Sequence, residues 1–421
     1  MTHYDYILSG GGLAGLSLAY HLINSPLRDR SILIIDKDVK QQNDRTWCFW
    51  TQQPTLFDEI AYRVWRRLRF TSDDFTREYD LAPYHYQMIR GIDFYDLTRE
   101  KLGQCGNVTF VRGNIDRVED AADHATITVD GQSFSGSWVF DSTLPDSMRG
   151  SIPSGMQSRD AAGQEVPSPH SSTATSAPLS LRSVSAQNAS HYHHLNQHFR
   201  GWEIETDRPI FNPQLPTLFD FRTPQDGHMR FVYTLPFAEN RALIEYTLFS
   251  SHLLTSEEYD AGLRTYIKKT LDIKQYTINH VEAGVIPMTD HPFPRRLGQR
   301  VMSIGTKGGR VKPSTGYAFL RIQRDSAAIV QSLVNHDQPF DIPARRGRFG
   351  LHDAILLNIM THHPDDLKSI FTIMFKHNPI QRIFHFLDET ATLSEETRFI
   401  ASLPPWRFLQ ALFRLKVLRR M

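Results

Sequence analysis

Cysteine is nearly absent: Cys48 and Cys105 are the only two in 421 residues, and they do not form a CxxC pair. That argues against a disulfide framework and against a thiolate metal site, and it fits a reducing cytoplasm. Charge of one sign is equally scarce. A net charge of +1 gives no footprint for nucleic acid or for a strongly acidic substrate. No apolar run approaches the roughly 18 residues that a bilayer span requires. The N-terminus has no succession of basic, apolar and cleavage regions, so no signal peptide is read there. The chain is therefore expected to be soluble or to lie on a membrane surface. No internal repeat is evident.

What is present is an ordinary globular composition, 40% hydrophobic and 22% charged, on a chain long enough for two or three domains. Tyr4 to Leu8 reads as a strand, Leu13 to Leu22 as a helix and Ser31 to Ile35 as a second strand. This is the opening βαβ unit of a doubly wound sheet. Short strands follow over 107–141, with a turn at Asp130-Gly131 and a final apolar strand, SWVFDS. Residues 151–190 are rich in serine and hold no aromatic residue. Such a stretch buries too little apolar surface to offset ordering, and is expected to be a flexible insertion. Residues 201–250 alternate in strand fashion, 255–273 look helical, VMSIGTKGG reads as a strand entering a glycine loop, and a helix carrying Ala327 to Val334 follows. From about Gly350 the pattern is mainly helical.

The sharpest motif is Gly10-Gly11-Gly12-Leu13-Ala14-Gly15, which matches G-x-G-x-x-G. Gly10 permits the tight turn, Gly12 lets backbone amides approach a pyrophosphate, and Gly15 lets helix and strand pack closely. The helix N-terminus at Leu13 and Ala14 then presents unpaired N–H donors to a doubly charged group. Asp36 closes the second strand, where a carboxylate can accept from ribose hydroxyls. The early position of the fingerprint and the long, interrupted chain favour FAD over NAD. No second G-x-G-x-x-G for NADPH is present, so a hydride donor would bind transiently or act through a partner. A second glycine cluster, Gly305-Thr306-Lys307-Gly308-Gly309, leads into Lys312-Pro313-Ser314-Thr315-Gly316-Tyr317. Gly305, Gly309, Thr315 and Gly316 would place amides against the flavin pyrimidine and ribityl chain. Flavin hydroxylases usually carry an aspartate where this chain has Thr306. Arg45, just past the second strand, either reaches the flavin or forms a surface salt bridge.

The expected fold class is α/β: a Rossmann-like FAD-binding domain of the two-dinucleotide-binding flavoprotein type, a β-rich substrate domain and a C-terminal helical region. The expected limits are 1–70, 86–145 and 282–336 for the first, and 71–85 with 191–281 for the second. An insertion at 146–190 and a helical, membrane-facing region at 337–421 complete the division.

Glu245 stands in an apolar strand and shares a face with Leu243, Thr247 and Phe249. An uncompensated carboxylate there is costly, which points to function or to a half-exposed strand. Glu282 is a weaker acid candidate. Trp47, Trp50 and Trp202 either line an apolar tunnel or fill the core. His191, His193, His194 and His198 lack metal-ligand geometry and are expected to be exposed. No metal is expected. Residues 405–421 interleave Trp406, Phe408, Leu409, Leu412, Phe413 and Leu415 with five basic residues and no acid. That suits a bilayer interface, and Ile370 to Phe375 with Ile380 to Phe386 would add a second apolar face. The alternative is two core helices with solvated basic flanks.

Taken together, SGGGLAGLSLA, RTWCFW, MIRGIDFYDL, QHFRGWEIET, RFVYTLPF, LIEYT, EAGVIPMTD and KPSTGYAF resemble the lycopene cyclase family, bacterial β-cyclase type. The resemblance implies conversion of lycopene to β-carotene through γ-carotene by acid-initiated, carbocationic cycloisomerisation. FAD would act in its reduced form without net redox, with NADPH as an indirect electron source. Glu245, in LIEYT, would be the acid. Because lycopene dissolves in lipid, peripheral association with the cytoplasmic membrane is also implied. The competing readings are a redox flavoenzyme, either a monooxygenase or a prenyl-chain reductase, and a flavin- or carotenoid-binding protein without catalysis.

Overall fold

In the computed structural model of the chain the described residues are 1–144, 192–345 and 347–418. The insertion expected at 146–190 lies outside them.

The first sheet grows from β1 (Thr2–Ser9) and β2 (Ile32–Asp36), joined by helix α1 (Leu13–Ile23). Ile32–Ile35 of β2 and Tyr6–Leu8 of β1 are apolar and buried, the composition a parallel sheet covered on two sides requires. β1 pairs in parallel with β2 and with β11 (Gln132–Asp141). Beyond them, β2 pairs in parallel with β8 (Val108–Arg112), and β11 with β17 (Val301–Ser303). A meander of β9 (Ile115–Asp120) and β10 (Ala125–Val129) adds antiparallel strands. Helices α1, α2 (Gly91–Gly103) and α4 (Phe319–His336) bury their apolar stripes on one face, through Leu16, Phe94 and Ile329.

A second, three-stranded sheet holds β3 (Thr46–Thr51), β4 (Arg63–Trp65) and β7 (His85–Arg90) in the order β3-β7-β4. The third and largest contains β5 (Arg67–Thr71), β6 (Thr76–Asp80), β12 (His194–Glu205), β13 (Thr217–Asp220), β14 (Met229–Ala238), β15 (Arg241–Ser250) and β16 (Thr277–Thr289). Its order is β16-β12-β15-β14-β13-β5-β6. All its pairs are antiparallel except β5 with β13.

The two faces of this sheet have different covers. Helix α3 (Ser256–Lys269), opened by a Thr255–Glu258 capping box, packs Tyr259, Leu263, Tyr266 and Ile267 on one face against Trp202, Ile244 and Leu248. The C-terminal helices α5 (Gly347–His362), α6 (Leu367–His377) and α7 (Ile380–Leu387) close the other. There the ring of Phe375 stacks on Phe70 at 4.2 Å between centroids, while Phe384 stacks on Trp50 of β3, in the three-stranded sheet, at 4.3 Å. The second lipid-facing surface expected from Ile370–Phe375 and Ile380–Phe386 is thus corrected. Ile370, Phe371, Phe375, Ile380, Ile383 and Phe384 are core, because their apolar stripe meets an aromatic sheet face. Two short helices follow, α8 (Leu393–Ala401) and α9 (Pro405–Leu418).

Two of the expected exposed histidines are also buried. His193 bonds Asp290 and Asn358, and His198 bonds Tyr259 and Ser250. Hydrogen bonds to both ring nitrogens make that burial tolerable.

Candidate active site

The glycine fingerprint forms the turn its spacing calls for. Gly10 lies at φ +105°, in the region that favours glycine. A Cβ on Gly15 would strike the Gly10 carbonyl oxygen, whereas a Cβ on Gly12 would have no protein atom within 4 Å. Gly12 is therefore open toward space that a ligand can enter. Gly12 caps α1 without a side-chain acceptor, and the first turn carries no acid. No side chain caps the helix at the amides of Leu13, Ala14 and Gly15. Asp36 ends β2 and fixes the turn, accepting from Gly11 N at 2.7 Å and from Asp38 N at 2.9 Å.

The second glycine segment arrives at the same place. Gly305 adopts φ +60°, and a Cβ there would lie 2.7 Å from the Ala14 Cβ. Where the expected aspartate is replaced by Thr306, a carboxylate comes instead from the end of β11: Asp141 accepts from Lys307 Nζ, from Ser9 Oγ at 3.2 Å and from Thr143 N at 2.9 Å. Gly309, at φ +70°, packs against Phe293. Lys312 and Ser314 then pin the loop: Lys312 Nζ lies 2.9 Å from Asp353 Oδ1 and 3.0 Å from Glu389 Oε1, and Ser314 Oγ donates to Asp353 at 2.6 Å. Arg345 joins both acids and Arg321 bonds Glu389 at 2.9 Å. These cations hold the Asp353 and Glu389 carboxyls below their ordinary range despite burial. Pinned in this way, Gly316 (φ +72°) lies against the Gln197 side chain of β12, whose Oε1 would fall 2.2 Å from a Cβ there.

The loop thus meets the large sheet at Gln197, on the same strand as Gly201, which pairs with Glu245. Register sets Tyr233 of β14, Glu245 of β15, Gly201 of β12 and Glu282 of β16 in one row across four strands. Directly opposed residues share a face, so the two carboxyls flank a glycine with no side chain to separate them. A Cβ on Gly201 would sit 3.2 Å from Glu282 Cγ and 3.5 Å from Glu245 Cβ. Thr247 Oγ1 donates to Glu245 Oε1 at 2.8 Å, and Thr46 Oγ1, from β3, donates to Glu282 Oε2 at 2.8 Å.

Burial, followed by the charge of Glu282, pushes the Glu245 carboxyl well above the usual carboxylate range. Burial also raises Glu282, but His280 and the Thr46 hydroxyl oppose it. Glu245, Tyr233, Cys48 and Tyr317 each keep some accessible surface although protein surrounds all four. Nearby, a cavity of about 40 Å³ is bounded by Cys48, Trp50, Tyr317 and Asp388, the last raised to about 6 chiefly by burial. A wider cleft of about 800 Å³ opens elsewhere, between Trp138, Arg296, Arg300 and Phe340. None of the residues in the glycine turns or the carboxyl row lines it.

These residues fit a flavin dinucleotide. The glycine turn is open to space at Gly12, and the buried Thr315 Oγ1 and Gln197 Oε1 have no hydrogen-bond partner in the protein. Buried polar atoms of that kind await a polar ligand. Arg45 is ion-paired with Asp44 at 2.8 Å. Among the described residues no group of three or more metal-ligating side chains occurs.

The tryptophans divide three ways. Trp47 packs edge-on to Phe94 and Tyr95, Trp50 stacks on Phe384 with its edge toward Tyr317, and Trp202 lies on the α3 face, opposite Glu245. Trp202 therefore lines no space on the carboxyl side. Gly201, Tyr233, Thr46 and Asp141 were not singled out from sequence. Only Gly201 carried a signal: glycine inside a strand marks a close approach.

The family described as lycopene cyclase protein matches residues 5–413. A lycopene beta-cyclase from a Paracoccus species is 31% identical over 137 residues, 29% of this chain and 32% of that protein. A chloroplastic neoxanthin synthase from Solanum tuberosum is 31% identical over 143 residues, 31% of this chain and 28% of that protein. The matched stretches thus span well under half of either relative. Among solved structures, Klebsiella pneumoniae HpxO complexed with FAD and uric acid superposes at a TM-score of 0.58 with 15% identity, covering 92% of this chain and 96% of that one. A geranylgeranyl bacteriochlorophyll reductase-like protein from Thermoplasma acidophilum gives 0.55 with 11% identity, covering 99% and 100%. The fold is that of FAD-dependent monooxygenase- and reductase-type flavoproteins.

Proposed function

Because this chain belongs to the lycopene cyclase family, we propose that it is a lycopene β-cyclase, converting lycopene to β-carotene through γ-carotene with no net change of redox state. The observation that carries this reading is the placement of Glu245: a buried carboxyl set in a row with Glu282, whose surroundings raise it above the usual carboxylate range, beside the aromatic residues of the large sheet. The Glu245 carboxyl gives its proton to the terminal alkene, leaving a tertiary cation. The neighbouring alkene attacks it to close the ring, and the ring proton that leaves passes to the Glu245 carboxylate, restoring the acid and leaving the β end group. One proton enters and one leaves, so no oxidant or reductant is consumed. Tyr233, Phe231 and Tyr317 offer π-faces that stabilise positive charge and exclude water. The amides of Leu13, Ala14 and Gly15 with Gly10, Gly12 and Asp36 would hold FAD at its pyrophosphate and ribose; Gly305, Gly309, Thr315 and Gly316 would hold its other end. Reduced FAD, when bound, supplies electron-rich character beside the developing cation. NADPH would serve only as a distant electron source.

The test is stoichiometry. With FAD chemically reduced under anaerobic conditions, lycopene should be cyclised without added NADPH. Oxidation of one NADPH per product would instead support a monooxygenase or prenyl-chain reductase.

The substrate dissolves in lipid, and we propose that α9 seats the protein peripherally on the cytoplasmic membrane surface. No described helix is long and apolar enough to cross one. On α9, Trp406, Leu409 and Phe413 recur at helical spacing with 66%, 57% and 71% of their surface exposed, while Ala411 and Leu415 face the core. Changing all three exposed residues to serine should weaken sedimentation with anionic liposomes at least tenfold, since each buried side chain is worth about 1.5–3 kcal/mol. Wild-type binding should fall as salt rises. Unaltered sedimentation of the folded variant would remove α9 as the anchor.

A further inference from the structure

An acid that must protonate an alkene has to arrive at the reaction still carrying its proton, near neutral pH. Burial alone raises a carboxyl, but Glu245 has a second influence at close range. The row across the large sheet sets Glu282 against it with only Gly201 between, and the missing Cβ is what lets the two side chains approach. The two acids are not equivalent. Glu282 is 1% exposed and takes a hydroxyl proton from Thr46 on Oε2, while His280, also on β16, favours its charged form. Glu245 has one hydroxyl donor, Thr247, and no cation acting on it. Like charges at this separation cannot both form cheaply, so the better-supported group ionises and its neighbour keeps the proton.

We infer that Glu282 is a positioning residue for the proposed reaction: its carboxylate, held across Gly201, keeps the proton on Glu245. This rests on Glu245 being the proton donor. The other groups around the pair do not supply the same effect. Glu203 on β12 acts on Glu282 and is itself paired with Arg241 at 3.5 Å. Tyr233 on β14, Cys48 on β3 and Tyr317 after the glycine loop are all pushed upward by burial and stay neutral. Glu282 is then the one group in the row whose charge acts directly on Glu245.

The experiment reads the Glu245 proton without turnover. In the flavin-loaded full chain, the infrared stretch of the protonated carboxyl, assigned by its loss in Glu245→Gln, is followed against pH. Glu282→Gln removes the charge and should lower the midpoint by about one to three pH units, the usual influence of a close charge. The alkaline limb of the cyclisation profile should move with it. Gly201→Ala, which wedges a methyl between the acids while leaving both in place, should move the midpoint the same way by less. A folded Glu282→Gln or Gly201→Ala protein with the wild-type midpoint overturns the inference. A shifted midpoint in a protein that forms no rings would keep the pair and overturn the proposed reaction instead.

Discussion

Glu245→Gln is expected to fold, to hold flavin and to cyclise lycopene about two to four orders of magnitude more slowly, the usual scale for loss of a general acid. The substitution keeps the shape of the side chain and its bond from Thr247, and removes the transferable proton. Glu245→Asp should be partly active at best, because withdrawing the carboxyl by about one carbon–carbon bond is steeply penalised. The sign of the pH dependence follows from the raised carboxyl. Only the protonated form is competent, so activity is present below the raised pKa and is lost as pH climbs through it. Product analysis with reduced flavin and equal protein checks all three. A near wild-type rate in the flavin-loaded Gln variant would make Glu245 structural and leave Glu282 as the next acid.

Gly15→Ala should yield a protein without flavin. The new methyl meets a backbone oxygen, that of Gly10, and not the end of a flexible side chain, so the turn itself must open. Added FAD should raise the unfolding midpoint of the wild type, with about 2.7 kcal/mol of stabilisation at a hundredfold excess over Kd, and leave Gly15→Ala unmoved. Gly12→Ala separates fold from ligand. Its methyl meets no protein atom within 4 Å, so that variant should be as stable as the wild type without FAD and yet bind FAD more weakly. Undiminished affinity in Gly12→Ala would mean that the pyrophosphate does not approach there.

The glycine turn was legible because its constraints are local. Gly10, Gly15 and Asp36 interact within one βαβ unit, so spacing alone encodes them. The shared face of Leu243, Glu245, Thr247 and Phe249 was likewise legible, since a strand alternates by two wherever it lies. What stands opposite Glu245 was not. Gly201 and Glu282 reach it through the register of β12 and β16, which local pattern does not reveal. The same limit misplaced Trp202: its strand was evident, but which face α3 would cover was not. The stripe on α6 and α7 was equally ambiguous, because an apolar helix face has the same composition whether it meets lipid or an aromatic sheet. His193 and His198 looked exposed because polar residues usually are; their burial depends on distant partners, Asp290 and Tyr259.

The parallel pairing of β5 with β13 bears on how this chain acquires its site. Residues 67–71 can pair with 217–220 only after the intervening chain has closed, and Glu282 enters the row later still, when β16 adds to β12. Contacts so distant in sequence form slowly, because chain entropy is lost before they return anything. The first glycine turn, by contrast, needs little beyond the first βαβ unit. During synthesis the first glycine turn can therefore form early, whereas the Gly305 segment that packs on Ala14 and the carboxyl pair both wait for the later chain.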